Sequence, residues 1–287
     1  MPYRTDLALE SEQRVNASGA LRGIVRQQRT YAAAGFEVTD IKIVLEEAAA
    51  ALGKPKGRYV TVSCREGRLS DCRGDAAEQA ECLAAELAGL IRLPQRVLVA
   101  GLGSTAVTPD SLGPAAAAGI LATRHLKRLA PELDTSELSE VSVISAGVMA
   151  QTGIESAAVV KALCEEVRPE LVIVIDALAC SELEHLGSTV QLCSTGISPG
   201  SGVGNSRAEL SEASLGVPTA AIGIPTVTDC SVIAEAAGGS SLPEHLGMIV
   251  TPKDIDLLIK RSAALLSAGI NRALHPTLSQ EELAMLM

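Results

Sequence analysis

Two aspartates stand just beyond buried apolar runs of this 287-residue chain. Asp110 follows Val97 to Ala100 through the glycine-broken stretch RVLVAGLGSTAVTPDSLGP, and Asp176 directly ends LVIVI, residues 171–175. Carboxylates brought close together repel when both are ionised, so one pKa rises and the pair can hold a proton, as acid-base hydrolysis of an amide requires. The same oxygens would equally suit a divalent cation. Asp229, at the end of IPTVTD, is a candidate third acid. A single Asp after a strand is commonly the N-cap of the next helix. Two of them, on two separate buried strands, form a constellation that capping alone does not require.

The elements that must position these acids read as alternating strands and helices. Val97 to Ala100, Val141 to Ser145, Leu171 to Ile175, Val190 to Ser194 and Thr219 to Ile224 are short apolar runs of strand type. Helical spacing covers Gly74 to Leu93 with Asp75 as N-cap, Leu112 to Leu126, Ile154 to Val167 and Lys253 to Leu274, and Ser279 with Glu282 suits a capping box. This order predicts an α/β fold, a three-layer α/β/α sandwich around a mostly parallel, doubly wound sheet. Ligands of such sheets bind beyond the carboxyl ends of the strands, where both acids fall. The alternation in FEVTDIKIVL and YVTVS, within residues 36–63, predicts a small accessory β region or antiparallel edge, with Lys54-Pro55-Lys56-Gly57 as turn chemistry. Residues 1–34 show no core pattern and read as a short helix or an unanchored arm.

Composition removes several classes of function. The formal net charge is -10 and only 1% of residues are aromatic, with no Trp. Direct nucleic-acid binding needs clustered cations and stacking rings, so none is expected. Seven cysteines without a C-x-x-C pair suggest reduced thiols, neither a disulfide framework nor a zinc site. No cofactor is expected, while a divalent metal at the acids stays open. Nothing of signal-peptide or membrane-spanning type occurs, which predicts a cytoplasmic protein.

Two motif matches fail on physical grounds, and a third stays open as a minor option. Gly101-Leu102-Gly103 opens a dinucleotide pattern, but its third glycine falls on Ala106 and no acid follows about 20 residues on. Gly196-Ile197-Ser198-Pro199-Gly200 has the letters of a serine-hydrolase elbow, yet Pro199 lacks the backbone N–H that would bind the oxyanion. Cys180 with His185 is weak evidence for a thiol protease, and the histidines at 125, 185, 245 and 275 read as surface or cap residues.

YRTDLALE, GLGSTAVTPDSLGP, LVIVIDALA, STGISPGSGVGNSR, LGVPTAAIGIPTVTD and MIVTPKDID, in this order over nearly the whole chain, resemble the germination protease family of spore-forming bacteria. One departure is STAVTPDS, which carries small residues where the family usually has Asn-Trp-Asn before VTPD. The resemblance implies a fold similar to hydrogenase maturation proteases and an endopeptidase that degrades small acid-soluble spore proteins during germination. It also implies a location in the spore core, a homotetramer and essential aspartates that correspond to Asp110 and Asp176. It further implies a zymogen, whose cleavage preference is similar to Thr5-Asp6-Leu7-Ala8. That assigns residues 1–6 to a propeptide cut between Asp6 and Leu7, and 7–287 to a single protease domain. Two alternatives use the same crevice: a metal-dependent protease, and an inactive module that binds a peptide or spore protein.

Overall fold

The computed structural model describes residues 5–16, 21–129, 135–136, 138–204, 207–238 and 248–286. In chain order the strands are β1 (Ile24–Tyr31), β2 (Phe36–Ile43), β3 (Gly57–Cys64), β4 (Arg96–Leu102), β5 (Glu140–Gly147), β6 (Leu171–Cys180), β7 (Thr189–Cys193), β8 (Thr219–Asp229) and β9 (Ile249–Val250). The helices are α1 (Ala8–Asn16), α2 (Glu46–Leu52), α3 (Ala76–Leu90), α4 (Leu112–Ala118), α5 (Arg124–Leu129), α6 (Met149–Thr152), α7 (Ser156–Val167), α8 (Glu212–Leu215), α9 (Cys230–Ala236), α10 (Ile255–Leu274) and α11 (Gln280–Leu286).

Among the described residues all nine strands join one mixed sheet in the order β1-β2-β3-β7-β8-β6-β4-β5, with β9 against β8. The parallel part is β8-β6-β4-β5, and the remaining pairings are antiparallel. β2 and β3 are therefore an antiparallel extension of the main sheet. β7 also runs antiparallel to both its neighbours. Only residues 181–188 separate it from β6, too short a link for the crossover that a parallel partner needs.

Helices cover both faces because successive residues of a buried strand point to opposite sides. Leu171, Ile173 and Ile175 of β6 pack with Val97 and Val99 of β4 against α3, α4 and α10. Val172 and Val174 pack with Leu98 and Ala100 against α1, α2, α7 and α8. Both layers are largely aliphatic, with Phe36 the buried aromatic of one and Tyr59 that of the other, as a chain with one Phe and no Trp requires.

Local signals behave as their chemistry dictates at several helix ends. Asp75 caps α3 by accepting from Ala77 N and Glu78 N. Ser279 and Glu282 satisfy each other's backbone N–H at the start of α11. The apolar run after Leu112, in contrast, does not make one helix: α4 stops at Gly119, and α5 starts afresh at Arg124. Among the described residues no helix is long and apolar enough to cross a membrane.

Of the two readings of residues 1–34, a short helix or an unanchored arm, the described residues show the helix, and they correct the absence of a core role. Far from an unanchored arm, α1 packs on the sheet with Leu7 and Ala8 fully buried. Glu10, also fully buried, accepts from Ser181 N (2.8 Å), Ser181 Oγ (2.5 Å) and Glu182 N (3.1 Å). Downstream, β1 forms the sheet edge, and its Arg29 bridges Glu86 of α3 (2.6 Å) and Asp40 of β2 (3.3 Å).

Candidate active site

Asp176 and Asp110 meet in one cavity of about 730 Å³ beyond the carboxyl end of β4. Strand β6 does not stop at Ile175 as the apolar run predicts but continues through Asp176 to Cys180, paired with β8. The last parallel pair of β4 with β6 is Gly101 with Ile175, so Asp176 is the next residue out. Asp110 closes a single 3₁₀ turn, Thr108–Asp110, between β4 and α4. Two contacts hold that turn: Thr226 Oγ1 of β8 donates to Pro109 O (2.8 Å), and Ser104 N donates to Asp110 Oδ2 (2.8 Å). Gly103 is required beneath it. Its φ is +112°, and a Cβ there would lie 1.9 Å from Asp110 O. The glycine pair after β4 thus shapes a tight turn, consistent with the failed dinucleotide motif.

Burial pushes the pKa of Asp110 up, opposed by the Ser104 N–H. Asp176 is raised well above the ordinary carboxylate value, first by burial and then by the negative charges of Asp110 and Asp6, against the Ala177 N–H that it accepts at 2.9 Å. Both shifts disfavour the charged form, and the stronger falls on Asp176, where the charge of Asp110 adds to burial. A neutral acid beside an ionised one is the equipment for activating water and protonating a leaving group.

Asp229 does not join them. It is exposed, caps α9 by accepting from Ser231 N (2.8 Å) and takes no part in lining the cavity. Besides Asp110 and Asp176, Asp6 and Glu155 line the crevice, and Asp6 is fixed there by hydrogen bonds. Its Oδ2 accepts from Ala179 N (2.8 Å), its Oδ1 from Ser201 Oγ (2.7 Å), and its own N donates to Ala179 O (3.0 Å). The Leu7 side chain is buried with Leu178, Cys180 and Leu186, and Ala8 N donates to Gln191 Oε1 (3.1 Å). Acid, large apolar residue and alanine each occupy a fitted place.

Two contributors escaped sequence reasoning. Ser201, which reads as a turn residue, holds the Asp6 carboxylate from the Gly-rich loop; its neighbour Ser206 lies outside the described residues. Lys54, in the turn after α2, donates from Nζ to Asp6 O (2.9 Å) and Thr5 O (3.3 Å). In the sequence Lys54 is one of two lysines in the turn Lys54-Pro55-Lys56-Gly57, which is ordinary on a protein surface.

Other candidate groups do different things. The Cys180 thiol is buried, donates to Val227 O (3.7 Å) and is pushed up to about 12, chiefly by burial, so it stays protonated. All seven cysteines are free. Of the histidines that read as surface or cap residues, His275 is the buried C-cap of α10 and His125 is exposed, whereas His185 is buried inside a 3₁₀ turn; His245 lies outside the described residues. Among the described residues the cluster with metal-ligand spacing is Glu182, Glu184 and His185, which includes neither Asp110 nor Asp176.

The family model described as germination protease matches residues 4–247. The chain is 37% identical to a germination protease of Clostridium perfringens, over 98% of this chain and 97% of that protein. It is 39% identical to one of Caldanaerobacter subterraneus, over 99% and 98%, and 34% identical to one of Priestia megaterium, over 96% and 92%. Among solved structures, the NiFe hydrogenase maturation protease HycI from Thermococcus kodakarensis aligns with a TM-score of 0.36 at 18% identity, over 65% of this chain and 99% of that one. With a family match across most of its length and relatives at this level of identity over nearly all of it, the chain belongs to the germination protease family.

Proposed function

We propose that the chain is an aspartate-dependent endopeptidase, made as a zymogen that cuts its own Asp6–Leu7 bond and then degrades small acid-soluble spore proteins during germination. The observation that carries this reading is that Asp6 lines the cavity that holds Asp110 and Asp176, while the apolar residue and the alanine that follow it, Leu7 and Ala8, are buried in the fold beside it. Asp110 takes a proton from water as the oxygen bonds to the Asp6 carbonyl carbon. Asp176 gives its proton to the Leu7 nitrogen as the C–N bond breaks. Proton exchange with solvent then restores the pair.

Release of a six-residue leader fits the local packing. Leu7, Ala8 and Glu10 are anchored in the fold, so the cut would leave α1 in place. The family resemblance supports a homotetramer and a place in the spore core. The acidic charge fits an enzyme that does not itself hold DNA.

Mass spectrometry of the purified full chain should show the loss of Met1 to Asp6 and a new start at Leu7, together with cleavage of a peptide that contains Asp-Leu-Ala. Enzyme that gains peptidase activity while retaining Met1 to Asp6 would overturn the zymogen reading. A peptide bound but left uncut would indicate a binding module. Activity lost to a chelator and restored by a divalent cation would indicate the metal-dependent alternative.

A further inference from the structure

The carbonyl of the proposed scissile bond meets a cation, and the same residue, Asp6, lines the cavity that holds Asp110 and Asp176. Asp6 also lines a smaller cavity of about 190 Å³ that holds Lys54 and Tyr59. We propose that Lys54 is a catalytic residue, whose ammonium grips the Asp6 carbonyl oxygen and stabilises the negative charge that forms there when water adds. This inference rests on the self-cleavage reading.

Geometry carries it. Nζ stands 2.9 Å from the carbonyl oxygen that becomes the oxyanion, within the 2.7–3.1 Å or so at which such donors act. The side chain is placed by rigid neighbours. α2 ends at Gly53 with φ +62°, the Lys54 N–H donates to Ala49 O (3.1 Å), and the Tyr59 hydroxyl donates to Pro55 O (2.8 Å). No reorganisation is then needed as charge develops, which is what makes a fixed donor effective in a site closed to water.

The charges facing Lys54 decide whether it keeps its proton. Burial lowers its pKa, and the carboxylates of Asp6 and Glu10 and the Cys193 thiol oppose that fall. A carbonyl acceptor adds no charge until the tetrahedral intermediate forms. The ammonium therefore gains its full partner only near the transition state, the condition under which binding energy raises a rate.

The rival role is a tether, since Lys54 also donates to Thr5 O. Lys54→Met in the full chain should slow appearance of the Leu7 terminus by about 10²–10³-fold, and Lys54→Arg should keep most of the wild-type rate. Hydrogen exchange at Leu7 and Ala8 should be the same in Asp176→Asn and in Asp176→Asn/Lys54→Met, because Ala179, Ser201 and Gln191 still hold the segment. A Lys54→Met chain that cuts within threefold of wild type would overturn the assignment. So would loss of exchange protection in step with the rate, which would make Lys54 a tether. Wild-type protein that never loses Met1 to Asp6 would bring down the self-cleavage reading itself, and Lys54 with it.

Discussion

Asp176→Asn is expected to slow both leader release and cleavage of an Asp-Leu-Ala peptide by about 10³-fold or more, with the fold retained. Asparagine keeps the size of the side chain but can neither hold nor give the proton, so the leaving amine of Leu7 departs unprotonated. Asp110→Asn should fail to a similar extent, because water would then be activated by no base. Asp176→Asn should also change stability, in a direction set by the raised pKa of Asp176. A carboxyl whose pKa is higher in the fold than in the unfolded chain stabilises the fold fully below its unfolded value, about 3.9. That contribution is lost as pH climbs through the folded value. At neutral pH the Asn variant should therefore melt above wild type, and the gap should close as pH falls toward about 4. A melting curve in which the variant is the less stable at pH 7 would contradict the burial and repulsion assigned to Asp176.

Gly113→Ala should be costly for both folding and activity. A Cβ on Gly113 would meet Leu102 O at 2.1 Å, Leu102 N at 2.5 Å and Ile175 O at 2.6 Å. These are backbone atoms of β4 and β6 and cannot swing away, so α4 must lift off the sheet. Alanine is the better helix former by about 1 kcal/mol, but overpacking of a tight core costs about 1–3 kcal/mol. Contact with backbone on two strands places this case at the upper end, with a net loss of about 2 kcal/mol. Ile175 precedes Asp176, and α4 follows directly from the turn that carries Asp110, so the shift alters the spacing of the two carboxyls. Urea denaturation should report the loss of stability, and the leader-release rate should fall by at least about 10-fold. An unchanged urea midpoint would mean that α4 floats above the strands instead of resting on them.

The central sheet and the acid pair were legible because both leave local marks. Strands buried on two faces are uninterrupted apolar runs, and an acid directly after such a run has few structural reasons to be there. Asp229 carries the same mark for the commoner reason. It precedes CSVIAEA, now helix α9, and caps it. What the sequence hid is long-range. Glu10 looks like a solvated charge in a polar segment, and its burial depends on Ser181 and Glu182, more than 170 residues away. Lys54 and Ser201 have their meaning only through Asp6, from which they are 48 and 195 residues distant. Strand direction is likewise silent in an apolar run, although the eight-residue link before β7 already forbade a parallel crossover.

The position of Tyr59 in the wall of the smaller cavity gives this protein a natural optical reporter. With no tryptophan, its near-ultraviolet emission comes from three tyrosines alone. Tyr3 belongs to the leader and would depart with it, and Tyr31 is held by a carboxylate, donating to Glu86 at 2.8 Å. Tyr59, hydrogen-bonded to Pro55 O beside Lys54 and Asp6, faces the space that the leader vacates. If the leader is released as proposed, the tyrosine emission should change with it, and the change can then be followed in real time without a label and without altering a residue.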